Sequence, residues 1–123
     1  MDMTVTDGPE GATVVELDGR FDIAGAQQVD QRFTKVAEDA KALVVDVAKV
    51  SFIASLGVRT LMVSAKSIMR RGAYMAVCGA SDGVEAVLRS TGFDELVGLY
   101  PDFDSAAKAI KRRAAAFAAN REA

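Results

Sequence analysis

The segment Ala42-Leu43-Val44-Val45-Asp46-Val47 constrains this chain more than any other. It is short, nearly continuous in apolar residues and rich in β-branched side chains, the pattern of a strand covered on both faces. Such a strand requires helices to cover its sheet, and the flanking sequence supplies them. Before it, Ile23, Ala26, Val29, Phe33, Val36 and Ala37 fall on one face of a helix that runs to about Asp39, with Asp22 placed to cap its first turn. After it, Val58, Leu61, Met62, Ala65, Ile68 and Met69 keep a three-and-four spacing, while Arg59, Lys66 and Arg70 lie off that stripe. Arg71-Gly72 closes this second helix with cations at its negative end and a glycine after it.

The rest of the chain repeats the alternation. Met3–Thr6 and Thr13–Leu17 alternate apolar and polar residues around the turn cluster Asp7–Gly11, which reads as a β-hairpin. Tyr74–Cys78 is a fourth strand, Ser81 or Asp82 caps a third helix carrying Val84, Val87 and Leu88, and Gly92 stops it. Leu96–Tyr100 is a weak fifth strand before Pro101, and a last helix turns Phe103, Ala106, Ala107, Ile110 and Phe117 inward. The order β-β-α-β-α-β-α-β-α predicts one α/β domain over residues 1–123, with a frayed tail at 119–123. Its single mixed sheet has five strands, mostly parallel because helices separate them, and carries four helices.

Composition narrows the function. Histidine is absent, which removes the commonest general base and metal ligand, and the lone Cys78 can build neither a zinc site nor an internal disulfide. No catalytic residues, metal or cofactor are expected, and the chain is read as a non-enzyme. A net charge of −2 gives no basic face for nucleic acid. No uncharged apolar segment, Val50–Val58 included, exceeds about half of the ~18 residues at which a membrane span begins. No basic segment leads into an apolar run at Met1-Asp2-Met3-Thr4, so a cytoplasmic location is expected.

Sites in open α/β sheets lie beyond the carboxyl ends of the parallel strands. Three segments meet there: Leu17–Asp22, Asp46–Ser55 and Gly79–Asp82. Ser55 opens the second helix, where free N–H groups and the dipole would accept a phosphate. Its other reading is a simple helix cap, and spacing alone does not decide between them. Gly57 leaves that first turn open to close approach, among the apolar Phe52, Ile53, Leu56 and Val58. Asp22 and Ser81 read as caps, Asp46 as an acceptor for loop N–H groups, Cys78 as inert core, and Arg59 as exposed surface. The basic run Lys111-Arg112-Arg113 complements its own helix end.

The stretch Phe52-Ile53-Ala54-Ser55-Leu56-Gly57-Val58-Arg59-Thr60-Leu61 resembles the signature of STAS domains, in which an aromatic-aliphatic pair precedes Asp-Ser-Ser/Thr-Gly and an aliphatic helix. Leu17-Asp18-Gly19-Arg20-Phe21-Asp22 is similar to the family's Leu-x-Gly-x-Leu/Phe-Asp, Val44–Val47 to its third-strand ending, and Thr91–Leu96 to the segment before its fifth strand. The resemblance spans about Thr4 to Ile110 and points to the anti-sigma factor antagonists. It implies a module that binds an anti-sigma factor or related serine kinase of the histidine-kinase-like fold. The kinase would phosphorylate Ser55 and so release itself, and a serine phosphatase would reset the switch. The implied contact residues are Asp22, Phe52, Ile53, Ala54, Ser55, Leu56, Gly57, Val58, Arg59 and Met62, with Asp46 and Ser81 shaping the site from behind. Ala54 stands where the family usually has Asp, and Leu56 where it has a second Ser or Thr.

Two rivals remain on the sequence. A scaffold or small-ligand STAS module would leave Ser55 unmodified, and either kind of module would be a monomer or weak dimer. A receiver domain phosphorylated on Asp46 would need further carboxylates for Mg²⁺ and a Lys after the last strand, and Val97–Tyr100 contains no Lys.

Overall fold

The computed structural model describes the backbone of residues 1–122 and the side chains of residues 1–116. Strand β1 (Asp2–Asp7) and strand β2 (Thr13–Phe21) form the hairpin, joined through a 3₁₀ turn at Pro9–Gly11. Then follow α1 (Ile23–Asp39), β3 (Ala42–Ile53), α2 (Ser55–Arg70), β4 (Tyr74–Cys78), α3 (Asp82–Ser90), α4 (Phe93–Leu96), β5 (Gly98–Tyr100) and α5 (Phe103–Glu122). The sheet runs in sequence order, β1-β2-β3-β4-β5, with β1 antiparallel to β2 and every later pair parallel.

That order dictates where the helices go. Right-handed crossovers that always step in one direction place every connecting helix on the same face. Accordingly α1 packs on α2, α2 on α4 and α4 on α3, whereas α5 returns over the opposite face against β3, β4 and β5. The core is divided likewise. Phe21, Phe33, Leu61, Ile68, Leu88 and Phe93 fill the larger layer, and Val44, Ala76, Cys78, Ala106 and Ile110 fill the smaller one under α5. Leu43 and Val45 point into one layer and Val44 into the other, so β3 is covered on both faces there.

Four expectations need correction. Among the described residues the α-helices number five, because Gly92, at φ 80°, ends α3 and a single turn, Phe93–Leu96, follows before β5. Strand β3 continues to Ile53, through the segment expected to be a loop. Beyond Asp46 it pairs only with β2, and register shifts after Glu16 and Gly19 break the two-residue phase. Its buried positions there, Val47, Val50 and Ile53, therefore recur every third residue, a spacing that does not read as a strand. The buried face of α2 is rotated from the expected stripe: Gly57, Thr60 and Ser64 are buried beside Val58, Leu61, Ala65 and Ile68, while Met69 is half exposed. Ile23 and Phe103, both expected inward, are exposed. The expected inward Phe117 and frayed tail lie outside the residues whose side chains are described.

Candidate functional site

The ends of β2 and β3 deliver the starts of α1 and α2 to one edge of the sheet. Two glycines permit it. A Cβ on Gly57 would lie 2.6 Å from the Phe21 carbonyl oxygen and 2.9 Å from the Phe21 ring, and one on Gly25 would lie 2.1 Å from the Arg20 carbonyl oxygen. Both helices thus press their first turns directly onto the last residues of β2. The Ala54 N–H donates to the Phe21 carbonyl at 3.0 Å, which fixes the step from β3 into α2.

Ser55 is the first helical residue, and the cap position belongs to Ala54, which makes no side-chain bond. The first N–H groups of a helix have no partner within it, and an alanine cannot supply one. The Ser55 side chain is exposed and has no hydrogen-bond partner among the described residues. Its hydroxyl is thus accessible beside an electropositive, unsatisfied helix terminus.

Asp22 caps α1, accepting the Gly25 N–H at 2.9 Å. That bond and the nearby Arg20 guanidinium, 3.4 Å away, hold its carboxyl below the usual range. Arg20 also lies over the Phe52 ring at 4.5 Å, so Phe52, Arg20 and Asp22 form one exposed chain of contacts. Phe52 is 41% exposed and Ile23 is 62% exposed, unusual values for large apolar side chains. Leu56 and Met62 are half-buried, and Arg59 is exposed. Between α1 and α2 runs a groove of about 500 Å³, whose walls include Asp30, Thr34, Leu56, Arg59 and Val63.

Of the expected contact residues, Ile53, Gly57 and Val58 are buried and support this surface without forming it. Asp46 accepts the Ala48 N–H at 3.0 Å, and Ser81 caps α3 by accepting the Val84 N–H at 3.4 Å. Asp46 is half-buried and Ser81 is exposed, and each spends a side-chain oxygen on a backbone N–H of its own local turn. Cys78 is buried, and burial pushes its thiol up to about 12, with the Asp46 and Asp102 charges adding to the shift. Sequence reasoning missed Arg20, Ile23 and Val63. Arg20 carried a usable signal, a cation two residues before a capping carboxylate, but its stacking on Phe52 depends on the pairing of β2 with β3.

Among the described residues no helix is long and apolar enough to cross a membrane. The family model for the STAS domain matches residues 3–106. An anti-sigma factor antagonist from Mycobacterium paratuberculosis is similar at 27% identity, with 89% of this chain and 93% of that chain covered and a TM-score of 0.81. The STAS domain of a SulP transporter from Vibrio cholerae is similar at 28% identity, over 82% of this chain and 81% of that one, with a TM-score of 0.65. The phosphorylated form of SpoIIAA, a cell fate determinant of Bacillus, shares the fold at 13% identity and a TM-score of 0.69, covering 89% of this chain and 99% of that one. No curated protein matches the chain.

Proposed function

The chain belongs to the STAS domain family, and from that premise we propose that it is an antagonist-type binding module switched by phosphorylation of Ser55. It acts without chemistry of its own. Its partner is an anti-sigma factor or a serine kinase of the histidine-kinase-like fold, engaged in the cytoplasm through Asp22, Phe52, Ala54, Ser55, Leu56, Arg59 and Met62. A serine phosphatase restores the binding form.

The observation that carries this reading is the exposed, unbonded hydroxyl of Ser55 on the first turn of α2, beside the exposed ring of Phe52. A phosphate there gains the free helix N–H groups, so the fold tolerates it. A partner packed against the same turn meets about two added negative charges and must desolvate them. Repulsion then breaks the contact while the domain stays intact.

The test compares wild type with Ser55→Asp in partner capture, alongside intact-mass analysis after incubation with candidate kinases. Ser55→Asp should fold normally and lose the partner, and wild type should gain one phosphate that Ser55→Ala does not. Equal capture by wild type and Ser55→Asp would falsify the switch.

A second reading rests on a specific observation. The transporter domain and the antagonist are equally similar in sequence, at 28% and 27% identity. With Ala54 and Leu56 replacing the acidic and hydroxyl neighbours of the phosphosite, a constitutive scaffold is the alternative. It predicts capture that ignores the charge at position 55 and no phosphate gained from any candidate kinase.

A further inference from the structure

At the opposite end of the sheet from Ser55, a basin of about 570 Å³ opens where β3 and β4 begin. Its floor includes Tyr74, Ile110 and Ala114, with small alanines at the strand starts leaving the space unfilled. Among the described residues its rim carries Lys41, Arg71 and Arg113 against one acid, Glu10, in a chain whose net charge is −2. We propose that this basin binds a small amphipathic anion, with a carboxylate or phosphate head at the three cations and an apolar body on the floor.

Two of the cations are held in place before any ligand arrives. Arg71 donates through Nη2 to the carbonyls of Ala37 and Ala40, at the end of α1. Among the described residues its Nε–H and Nη1 hydrogens have no partner and remain for an anion. Arg113 lies over the Tyr74 ring at 4.7 Å, which fixes its plane, and its edge donors have no partner among the described residues. The ring is fixed in turn by a hydrogen bond between the Tyr74 and Tyr100 hydroxyls at 2.9 Å. A concave, mainly apolar site of this size with a few convergent charged groups is the usual form of a small-ligand site. Pre-set guanidinium groups also lower the ordering cost of binding. Neither neutral apolar molecules nor free phosphate would use both halves of it.

Strand β3 separates this basin from Ser55 by eleven residue steps, at most about 36 Å at ~3.3 Å per residue and less where its bulges against β2 shorten it. The lining of the basin shares no residue with the proposed partner surface. The test titrates the whole chain with sodium octanoate, octyl phosphate, 1-octanol and inorganic phosphate, followed by amide chemical shifts. One or both amphipathic anions should saturate a single site, with shifts confined to Glu10 and to residues 41–42, 71–74 and 110–116, and their relative affinities identify the preferred head group. Octanol and inorganic phosphate should bind at least tenfold more weakly. Lys41→Glu and Arg113→Ala should each weaken binding at least tenfold. Ala114→Phe should fill the basin and abolish binding, with circular dichroism and melting temperature as controls for folding. Ser55→Asp should leave the affinity unchanged, so this proposal and the phosphoswitch fail separately. Equal binding of octanol and octanoate, shifts scattered over the surface, or variants that bind like wild type overturn the proposal.

Discussion

Phe52 is 41% exposed and Ile53 is 3% exposed, so two adjacent residues of one apolar pair serve different ends. Truncating them should separate binding from stability. Ile53→Ala opens a cavity in the larger core layer and should cost ~2–5 kcal/mol in urea denaturation. Phe52→Ala removes only an exposed ring and its contact with Arg20, a loss of about 1 kcal/mol or less, yet should weaken partner capture. A Phe52→Ala variant that captures the partner as wild type does would remove Phe52 from the interface. Gly57 makes the converse point. Alanine there would gain about 1 kcal/mol of helix propensity in open space, but its Cβ would lie 2.6 Å from the backbone oxygen of Phe21, which cannot rotate away. Overpacking wins, and Gly57→Ala should lose ~1–3 kcal/mol, visible as a lower denaturation midpoint. Asp22 gives a pH signature. Its folded pKa is held below the ordinary 3.8, so its contribution is present above that value and is lost as pH falls through the folded pKa. Asp22→Asn keeps a capping oxygen but removes the charge facing Arg20, so it should flatten the acid limb of the stability curve measured by urea midpoints.

At the scale of elements, the long β3 decides where the site can be. Its first part, Ala42–Asp46, lies between β2 and β4, and its second part pairs with β2 alone. That extension carries Phe52 and the start of α2 to the level of Asp22 and Arg20. The Lys49–Glu16 contact at 3.0 Å across it is exposed at both ends. Such pairs are screened by water and salt, so the buried Val47, Val50 and Ile53 hold the extension in place. Much of this was legible from sequence. The capping role of Asp22, the helix beginning at Ser55 and the strand core Ala42–Val47 all follow from local pattern. The extension was not, because bulges shift the inside-outside phase, and only the partner strand reveals where a bulge lies. The cap at Ala54 was hidden for a related reason: a serine at a helix start is a better capping residue than the alanine before it, but the bond from Ala54 to Phe21 sets the boundary.

For the whole molecule, the two faces of the sheet are unequally covered. Four helices press on one face, while α5 alone closes the other over Cys78, Tyr74 and Tyr100. Burial raises the Cys78 thiol from 9.0 to about 12, and burial together with the Tyr100 hydrogen bond raises Tyr74 from 10.0 to about 12. Between those values the native state keeps protons that the unfolded chain has lost, so stability falls as pH rises through this range. A Cys78→Val variant, of similar volume, should show a shallower alkaline decline in urea midpoint than wild type. The thiol should also react with an aromatic disulfide reagent only as fast as the domain opens, a rate that rises with urea. Rapid labelling in native buffer would mean that α5 does not seal its layer.

The sequence by itself determined the order of elements except for the single turn α4, the α/β class and the presence of a serine where a helix begins, because periodicity, caps and breakers act over a few residues at a time. It also excluded chemistry that needs histidine. Tertiary structure alone decided which of those apolar residues face out. Ile23, Phe52, Val63 and Met69 are exposed because the faces of α1, α2 and the end of β3 are set by what packs against them. It also decided that Lys41, Arg71 and Arg113 meet at one basin, since residues so distant in the chain become neighbours only when the sheet order and the return of α5 are fixed.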